Sequence, residues 1–334
     1  MPTKDELKML QCLPLEVKVL KTQQRIREWV THFGVEGVYV AFSGGKDSTV
    51  LLHLVRELYP DVQAVFVNTG LEFPEIQQFV KTFDNVKVLY PSKTFKQIIM
   101  EYGYPVLSKI ISHNVSTARR NPDGKVMKNM FNPEKRGQYA MHKWSDLLTA
   151  DFWISEKCCD FNKEAPAAAY RKKTGKKQIV ATRACESKNR EDSWLKTGCN
   201  AFNCGEAISK PMSFWTEQDV LTYIYENDIK IAEPYGNIVT EYNQIPFAGC
   251  ACTLCTTGCR RTGCIYCGFG AHLEKGEGRF QRLKRTHPKQ YEFCINGGAY
   301  DTDGIWKPNE QGLGMGHVFD VLNSLYGDDF IKYK

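Results

Sequence analysis

Residues 38–58 read VYVAFSGGKDSTVLLHLVREL: an apolar run, a glycine-bearing turn, then a segment with helical periodicity. Val38–Phe42 has the composition of a buried strand. Leu51, Leu54, Val55 and Leu58 give the following helix one apolar stripe. The turn between them, Ser43-Gly44-Gly45-Lys46-Asp47-Ser48, is suited to phosphate. Glycine lets the backbone approach an anion closely, and the next helix aims its first N–H groups and its dipole at that charge. Ser43 and Ser48 supply hydroxyl donors, Lys46 a cation, and Asp47 a carboxylate able to hold Mg²⁺ against phosphate oxygens. ATP or a close relative is the expected ligand. The turn is not a Walker A loop, which needs four residues between its outer glycine and the Gly-Lys pair, and it lacks the spacing of a dinucleotide GxGxxG.

The same rhythm continues on both sides. Residues 14–33 predict a helix opened by Pro14, with Ile26, Trp29, Val30 and Phe33 on one face. Downstream come a strand at 62–67, a helix at 74–83, a strand at 86–90 and a helix at 94–102. Later a helix at 163–173 leads to a strand at 178–182, and Thr216 caps a helix running to Asn227. Fully apolar strands alternating with helices predict a doubly wound α/β fold, a parallel sheet covered on both faces. Ligands of such sheets bind beyond the carboxyl ends of the strands, where both Ser43–Ser48 and Asn68–Glu72 fall. Residues 103–140, rich in Asn, Pro and Lys, read as an irregular loop. Beyond Pro234 the chain turns to Cys- and Gly-rich loops. The expected division is a nucleotide-binding domain over 1–240 and a Cys-rich, metal-binding C-terminal module over 241–334.

Composition narrows the setting. A hydrophobic content of 42% and a charged content of 25% are ordinary for a globular protein. No apolar run approaches the ~20 residues needed to cross a bilayer, and the first twenty residues lack a signal-peptide core. A cytoplasmic protein is expected, without membrane contact. The net charge of +6 is mild but uneven: residues 117–143 hold seven Lys/Arg against two acids, and RKKTGKK at 171–177 adds five more. Such stretches suit a nucleic-acid backbone or a plain solvated surface equally. Thirteen cysteines, six of them between Cys250 and Cys267, suggest metal ligands or redox groups in a reducing compartment.

SGGKDS resembles the PP-loop of the adenine nucleotide α-hydrolase superfamily. Three further blocks in order, TGLEFPE at 69–75, TRACES with Arg190 at 182–190, and PMSFWTEQDVLTYI at 211–224, resemble the phosphoadenosine phosphosulfate (PAPS) reductase family. The likeness covers roughly residues 25–270. It implies a five-stranded parallel α/β sheet of adenine nucleotide α-hydrolase type with the nucleotide across its carboxyl end. Thr69, Gly70 and Glu72 would then lie near the nucleotide, with Arg183 and Arg190 offering guanidinium forks to phosphate or sulfate oxygens. A structural Arg183–Glu186 ion pair stays open.

Cys158-Cys159 with the distant Cys264-x-x-Cys267 resembles the 4Fe–4S arrangement of the family's adenylyl-sulfate reductase branch. Four thiolates suit a cubane, with Lys157, Lys163 and Arg260 offsetting its charge. Zinc is the rival, held by Cys252-x-x-Cys255 and Cys264-x-x-Cys267, although the eight-residue gap is short for such a site. Cys250, Cys252, Cys255 and Cys259 are surplus under the cluster reading.

Two departures separate the chain from sulfonucleotide reductases. Their nucleophilic cysteine lies in a C-terminal Glu-Cys-Gly-like motif, whereas here the nearest candidate is Cys294 in YEFCINGG. Asp47 is also retained, which suits a pyrophosphate leaving group. The expectation is an enzyme that cleaves ATP to AMP and pyrophosphate and adenylates an acceptor for sulfur transfer, with Lys46, Asp47 and Arg183 as catalytic groups. A tRNA or DNA acceptor and a sulfur-donor protein are candidate partners, and a homo-oligomer stays open. The alternatives are a PAPS or adenylyl-sulfate reductase releasing sulfite, and a non-catalytic nucleotide-binding regulator.

Overall fold

The computed structural model describes residues 2–132, 134, 141–203, 205–245 and 249–334, without the side chains of 242–252. Its main sheet is built from β1 (Val38–Ala41), β2 (Ala64–Val67), β3 (Val86–Leu89), β4 (Lys177–Ile179), β5 (Asn200–Ala201) and β6 (Ile208–Ser209). In space they run β3-β2-β1-β4-β6-β5. The pairs β1–β2, β2–β3, β1–β4 and β4–β6 are parallel, and β5 closes one edge antiparallel to β6. Five parallel strands are thus present, as the family resemblance implies, with an added antiparallel edge.

Alternation along the strands decides which side chains meet which layer. Val38, Val40 and Phe42 face one way, into a core shared with Ile26, Trp29 and Val30 of helix Leu15–Phe33 and with Val50, Leu51, Leu54 and Val55 of helix Lys46–Leu58. Ile76 and Val80 of helix Pro74–Val80 join the same core. Tyr39 and Val65 face the other way, against Tyr170 of helix Ala165–Thr174. Helices therefore cover both faces.

The chain order reverses at β1. It passes from β1 to β2 to β3 in one direction, then returns to place β4 on the other side of β1. Two neighbouring strands whose connections leave in opposite directions open a crevice at their carboxyl ends. The turn Ser43–Ser48 leaves β1 at that point, and Arg183 follows β4 there.

By its contacts the chain forms two compact units: residues 1–68, 72–90 and 166–262, and residues 69–71, 91–165 and 263–334. The first holds the sheet. The second contains helices Phe95–Tyr102, Lys109–Arg120 and Lys125–Met130, then Arg279–Thr286, Pro288–Ile295 and Met315–Tyr326. Much of the stretch expected to be irregular at 103–140 is thus helical. Helix Lys109–Arg120 buries Ser112, Asn114 and Ser116 beside Val115 and Ala118, so polar residues dilute its short apolar stripe. The region past 234 is likewise richer in helix than its Gly and Cys content suggests.

One buried ion pair fixes the approach of helix Glu217–Glu226. Lys18 Nζ lies 2.6 Å from Asp219 Oδ2, with the two side chains 2% and 13% exposed. The same carboxylate accepts from the backbone N–H and hydroxyl of Thr216, the N-cap residue. Replacing Asp219 by Ala leaves a buried ammonium uncompensated, which costs about 3–5 kcal/mol. Urea denaturation of Asp219→Ala should show a loss of that size; a loss under ~1 kcal/mol, the scale of a surface pair, would contradict this assignment.

Candidate active site

The SGGKDS turn closes on itself through its serines. Ser48 Oγ donates to the Gly45 carbonyl (2.8 Å) and stands 3.0 Å from Ser43 Oγ, while the Ser43 N–H donates to Ser48 Oγ (3.2 Å). Gly44 has φ +70°, and a Cβ there would sit 2.8 Å and 2.9 Å from methyl groups of Ile76 and Val80. That position accepts glycine for both reasons. Lys46 opens helix Lys46–Leu58, and its N–H donates to the Tyr235 hydroxyl (3.2 Å), itself 2.7 Å from Thr262 Oγ1.

Around this turn two buried cations meet partly exposed carboxylates. Lys46, 1% exposed, places Nζ 3.0 Å from Asp47 Oδ2 and 2.8 Å from Glu217 Oε1, and it donates to the Arg260 carbonyl at 3.2 Å. Arg183, also 1% exposed, brings Nε to 2.6 Å from Asp47 Oδ1 and Nη2 onto Glu217 Oε2. Glu186 stands 3.8 Å from Arg183 Nη2 and pairs closely with Arg190. The Arg183–Glu186 contact is therefore the loosest of these, and Asp47 and Glu217 are the principal partners of Arg183. Burial alone pulls the Arg183 pKa down, yet Asp47 and Glu217 outweigh it and leave the group raised. Arg190 is lowered, by burial first and then by repulsion from Arg261.

Both oxygens of Asp47 are thus taken by cations. In this arrangement Asp47 holds Lys46 and Arg183 in place, and the carboxylate does not fit the role of a free Mg²⁺ ligand. Glu217 bridges the same two cations from the first turn of its helix. Glu217 and Tyr235 were not singled out from the sequence. Their signal is spatial, since each meets the turn across more than 160 residues of chain. Of the remaining expected nucleotide contacts, Glu72 groups with the unit that holds the turn, whereas Thr69 and Gly70 group with the other. Thr69 is buried and its Oγ1 accepts the Leu71 N–H at 3.1 Å.

The second unit gathers the four cysteines expected to bind a cluster. The short strand Val106–Leu107 pairs in parallel with Gly268–Phe269, and Tyr104 bridges Ile154. One segment thereby splints the chain just after Cys267 to the chain just before Cys158. A Cβ on Gly268 would lie 2.3 Å from the Pro105 carbonyl oxygen, so glycine permits the close pairing. The thiols feel one another. A hydrogen bond from Cys158 is the main reason Cys159 falls to about 7, with Lys109 and Lys163 helping against burial. Cys158 is raised, first by that same bond, then by burial and by Cys159, Cys267 and Cys264. Burial, then Cys264, pushes Cys267 up to about 11, while the Phe269 N–H acts against the rise.

Four soft sulfur donors with nearby lysines fit a thiolate-bound metal centre in number and kind. As the side chains stand, no group of three or more His, Cys, Asp or Glu among the described residues is arranged to hold a metal ion. Of the surplus cysteines, Cys255 and Cys259 group with the sheet unit. The side chains of Cys250 and Cys252 lie outside the described residues. Cys294 is fully buried, donates to Met315 Sδ at 3.6 Å, and is raised by burial. A thiol so placed is a packing group rather than an exposed nucleophile.

A family model described as the phosphoadenosine phosphosulfate reductase domain matches residues 37–108 and 117–268, well over half of the chain. The chain belongs to this family. A sulfate adenylyltransferase subunit 2 from Shewanella sp. is 27% identical over 225 residues, covering 64% of this chain and 64% of the relative. An adenosine 5'-phosphosulfate reductase from Geobacillus kaustophilus is 26% identical over 229 residues, covering 66% and 74%. An uncharacterized protein of Methanocaldococcus jannaschii is 22% identical over 298 residues, covering 86% of this chain and 55% of the relative. The chain thus spans between half and two thirds of the length of the first and last of these relatives. Among solved structures, a Candida auris PAPS reductase aligns with a TM-score of 0.38 and 15% identity over 70% of this chain and 91% of that one. The residues Ser43–Ser48, Arg183, Arg190, Glu217, Tyr235 and all four paired cysteines fall inside the span matched by the PAPS reductase family model.

Within that site Glu217 occupies the two cations that a phosphate chain would seek. Neutralising it in Glu217→Gln removes both the competitor and a like-charge repulsion. ATP should bind that variant about tenfold tighter, ~1.4 kcal/mol, by titration calorimetry. Unchanged or weaker binding would show that Glu217 does not compete with phosphate.

Proposed function

We propose that this PAPS reductase family member cleaves ATP between its α and β phosphates, adenylates an acceptor oxygen, and so prepares that acceptor for sulfur transfer. The observation that carries the reading is the convergence of Lys46 and Arg183 on the turn after β1, held there by Asp47 and Glu217. Preorganised cations in a buried site stabilise developing negative charge without having to rearrange during the reaction. In-line attack by the acceptor oxygen on the α phosphorus breaks its bond to the α–β bridging oxygen. Pyrophosphate departs with its new charge facing Lys46 Nζ and the Arg183 guanidinium, aided by N–H groups at the start of helix Lys46–Leu58. The adenylate makes the acceptor oxygen a leaving group, and sulfur from a donor displaces AMP.

Burial of Cys294 argues against sulfonucleotide reduction through that residue, the cysteine nearest the reductases' C-terminal motif. Cys158, Cys159, Cys264 and Cys267 are the residues we assign to a 4Fe–4S cluster, which when bound would supply electrons or an iron site for sulfur. The acceptor we favour is a nucleic acid, tRNA or DNA, given the basic stretches of the chain, with the sulfur delivered by a donor protein.

Anaerobically purified protein given ATP labelled at the α phosphate, with tRNA, DNA and small acceptors in parallel, should form AMP and pyrophosphate in equal amounts. Lys46→Ala should slow that reaction by about 10²–10³-fold. Sulfite formed from PAPS or adenylyl sulfate without ATP turnover would establish the reductase alternative instead. Tight nucleotide binding with no turnover of either kind would establish the regulatory one. Cys158→Ser should lose the brown colour of a cluster and sulfur transfer while still releasing pyrophosphate.

A further inference from the structure

The helix that opens with Lys157, Cys158 and Cys159 does not continue as a regular α-helix. Over Asp160–Glu164 it widens into a π-helical turn, in which the Ala165 N–H donates to the Asp160 carbonyl. Such turns recur at functional sites because the widened register re-aims side chains. Its outer side is tied down by charge, with Lys109 Nζ 3.1 Å from Asp160 Oδ1 and 2.7 Å from Glu164 Oε1.

Its inner side buries two residues, Cys158 and Asn162, four apart in sequence. Helical side chains at that spacing share one face. Asn162 is 1% exposed. Neither its Oδ1 nor its Nδ2 meets a hydrogen-bond partner among the described residues. Buried amides are nearly always bonded, since an unpaired one forfeits its hydration for nothing in return. A leucine of similar volume would fill the same space without that cost. The unpaired amide calls for a partner, and the other buried residue on this face of the helix, Cys158, is a thiol of the four-cysteine set. Sulfur bound to a metal accepts hydrogen bonds, and the two NH₂ hydrogens of an asparagine are donors.

We propose that Asn162 donates a hydrogen bond to a sulfur of the metal centre held by Cys158, Cys159, Cys264 and Cys267, and acts as a positioning residue for that centre. The inference rests on those cysteines being ligands, as assigned above. Partners of this kind orient ligands and stabilise their charge, and losing one typically costs 10–100-fold in metal affinity. Where the centre is redox-active, an N–H···S bond favours the more negatively charged, reduced state.

The test compares wild type with Asn162→Leu, Asn162→Ala and Asn162→Thr, all purified anaerobically with metal content measured. Release of metal to a chelator should be at least about tenfold faster in the Leu and Ala variants, and within about threefold of wild type in Thr, which keeps a donor. For an iron–sulfur centre, the reduced-to-oxidised ratio at a fixed potential should fall about tenfold in Leu and Ala, ~59 mV for one electron. The metal-free Leu variant should melt at or above the temperature of metal-free wild type, because it no longer buries an unpaired amide. A merely structural Asn162 predicts the reverse pattern: lower melting of the metal-free variants with unchanged metal release and potential. That result would overturn the inference while leaving the ligand assignment intact. Wild-type protein that holds no metal at all would overturn both.

Discussion

The site depends on one constraint: two cations must stay charged, buried and close together at the carboxyl end of β1. Lys46 and Arg183 are each 1% exposed, and unpaired charges at such depth are not tolerated. Asp47 and Glu217 resolve the conflict by each touching both cations. The order of the strands makes the meeting feasible. Because the chain reverses direction beside β1, the ends of β1 and β4 deliver the PP-loop and Arg183 to one crevice. Helix Glu217–Glu226 enters from outside the sheet, and its orientation is set by the buried Lys18–Asp219 pair two residues further on. The pair that holds this helix and the pair that reaches Lys46 and Arg183 thus share a single turn of helix.

This arrangement changes what Asp47 does. From its place in the motif it reads as a metal-holding carboxylate. In the folded chain it bridges a cation pair, lying 3.0 Å from Lys46 Nζ and 2.6 Å from Arg183 Nε, and so keeps the two aligned. Under the proposed reaction, Lys46 and Arg183 are the protein's own groups placed to face the charge of a leaving pyrophosphate. Asp47 and Glu217 balance the charge of Lys46 and Arg183, so a polyanion binding there would compete with these carboxylates for the two cations.

How far the sequence discloses this follows from the range of each interaction. The strand–turn–helix at 38–58 is legible because apolar runs, glycines and helical period lie within about twenty residues, and repetition of that rhythm gives four of the five parallel strands; the fifth, Ile208–Ser209, is two residues long and is implied only by the family resemblance. The antiparallel edge Asn200–Ala201 is too short to leave a pattern. Helix Lys109–Arg120 is hidden because its inward face carries Ser112, Asn114 and Ser116, so composition suggests a loop. Glu217 lies inside the block at 211–224, yet neither it nor Tyr235 is marked by the sequence as a partner of Lys46; only the tertiary fold brings them to it. The cysteine pairs are brought together by the family resemblance, since spacing alone leaves the Cys252-x-x-Cys255 alternative open. The splint that joins them, Tyr104–Leu107, is not legible, since it depends on close backbone approach at Gly268.

The central claim is that this PAPS reductase family member breaks ATP between the α phosphorus and the α–β bridging oxygen. The most direct test uses ATP carrying ¹⁸O in that bridge, incubated anaerobically with the protein and its acceptor, with products resolved by mass. The account predicts that the label leaves wholly in pyrophosphate while AMP carries none of it. Label retained on the adenosine-bearing product, or ATP left intact while PAPS or adenylyl sulfate yields sulfite, would contradict it.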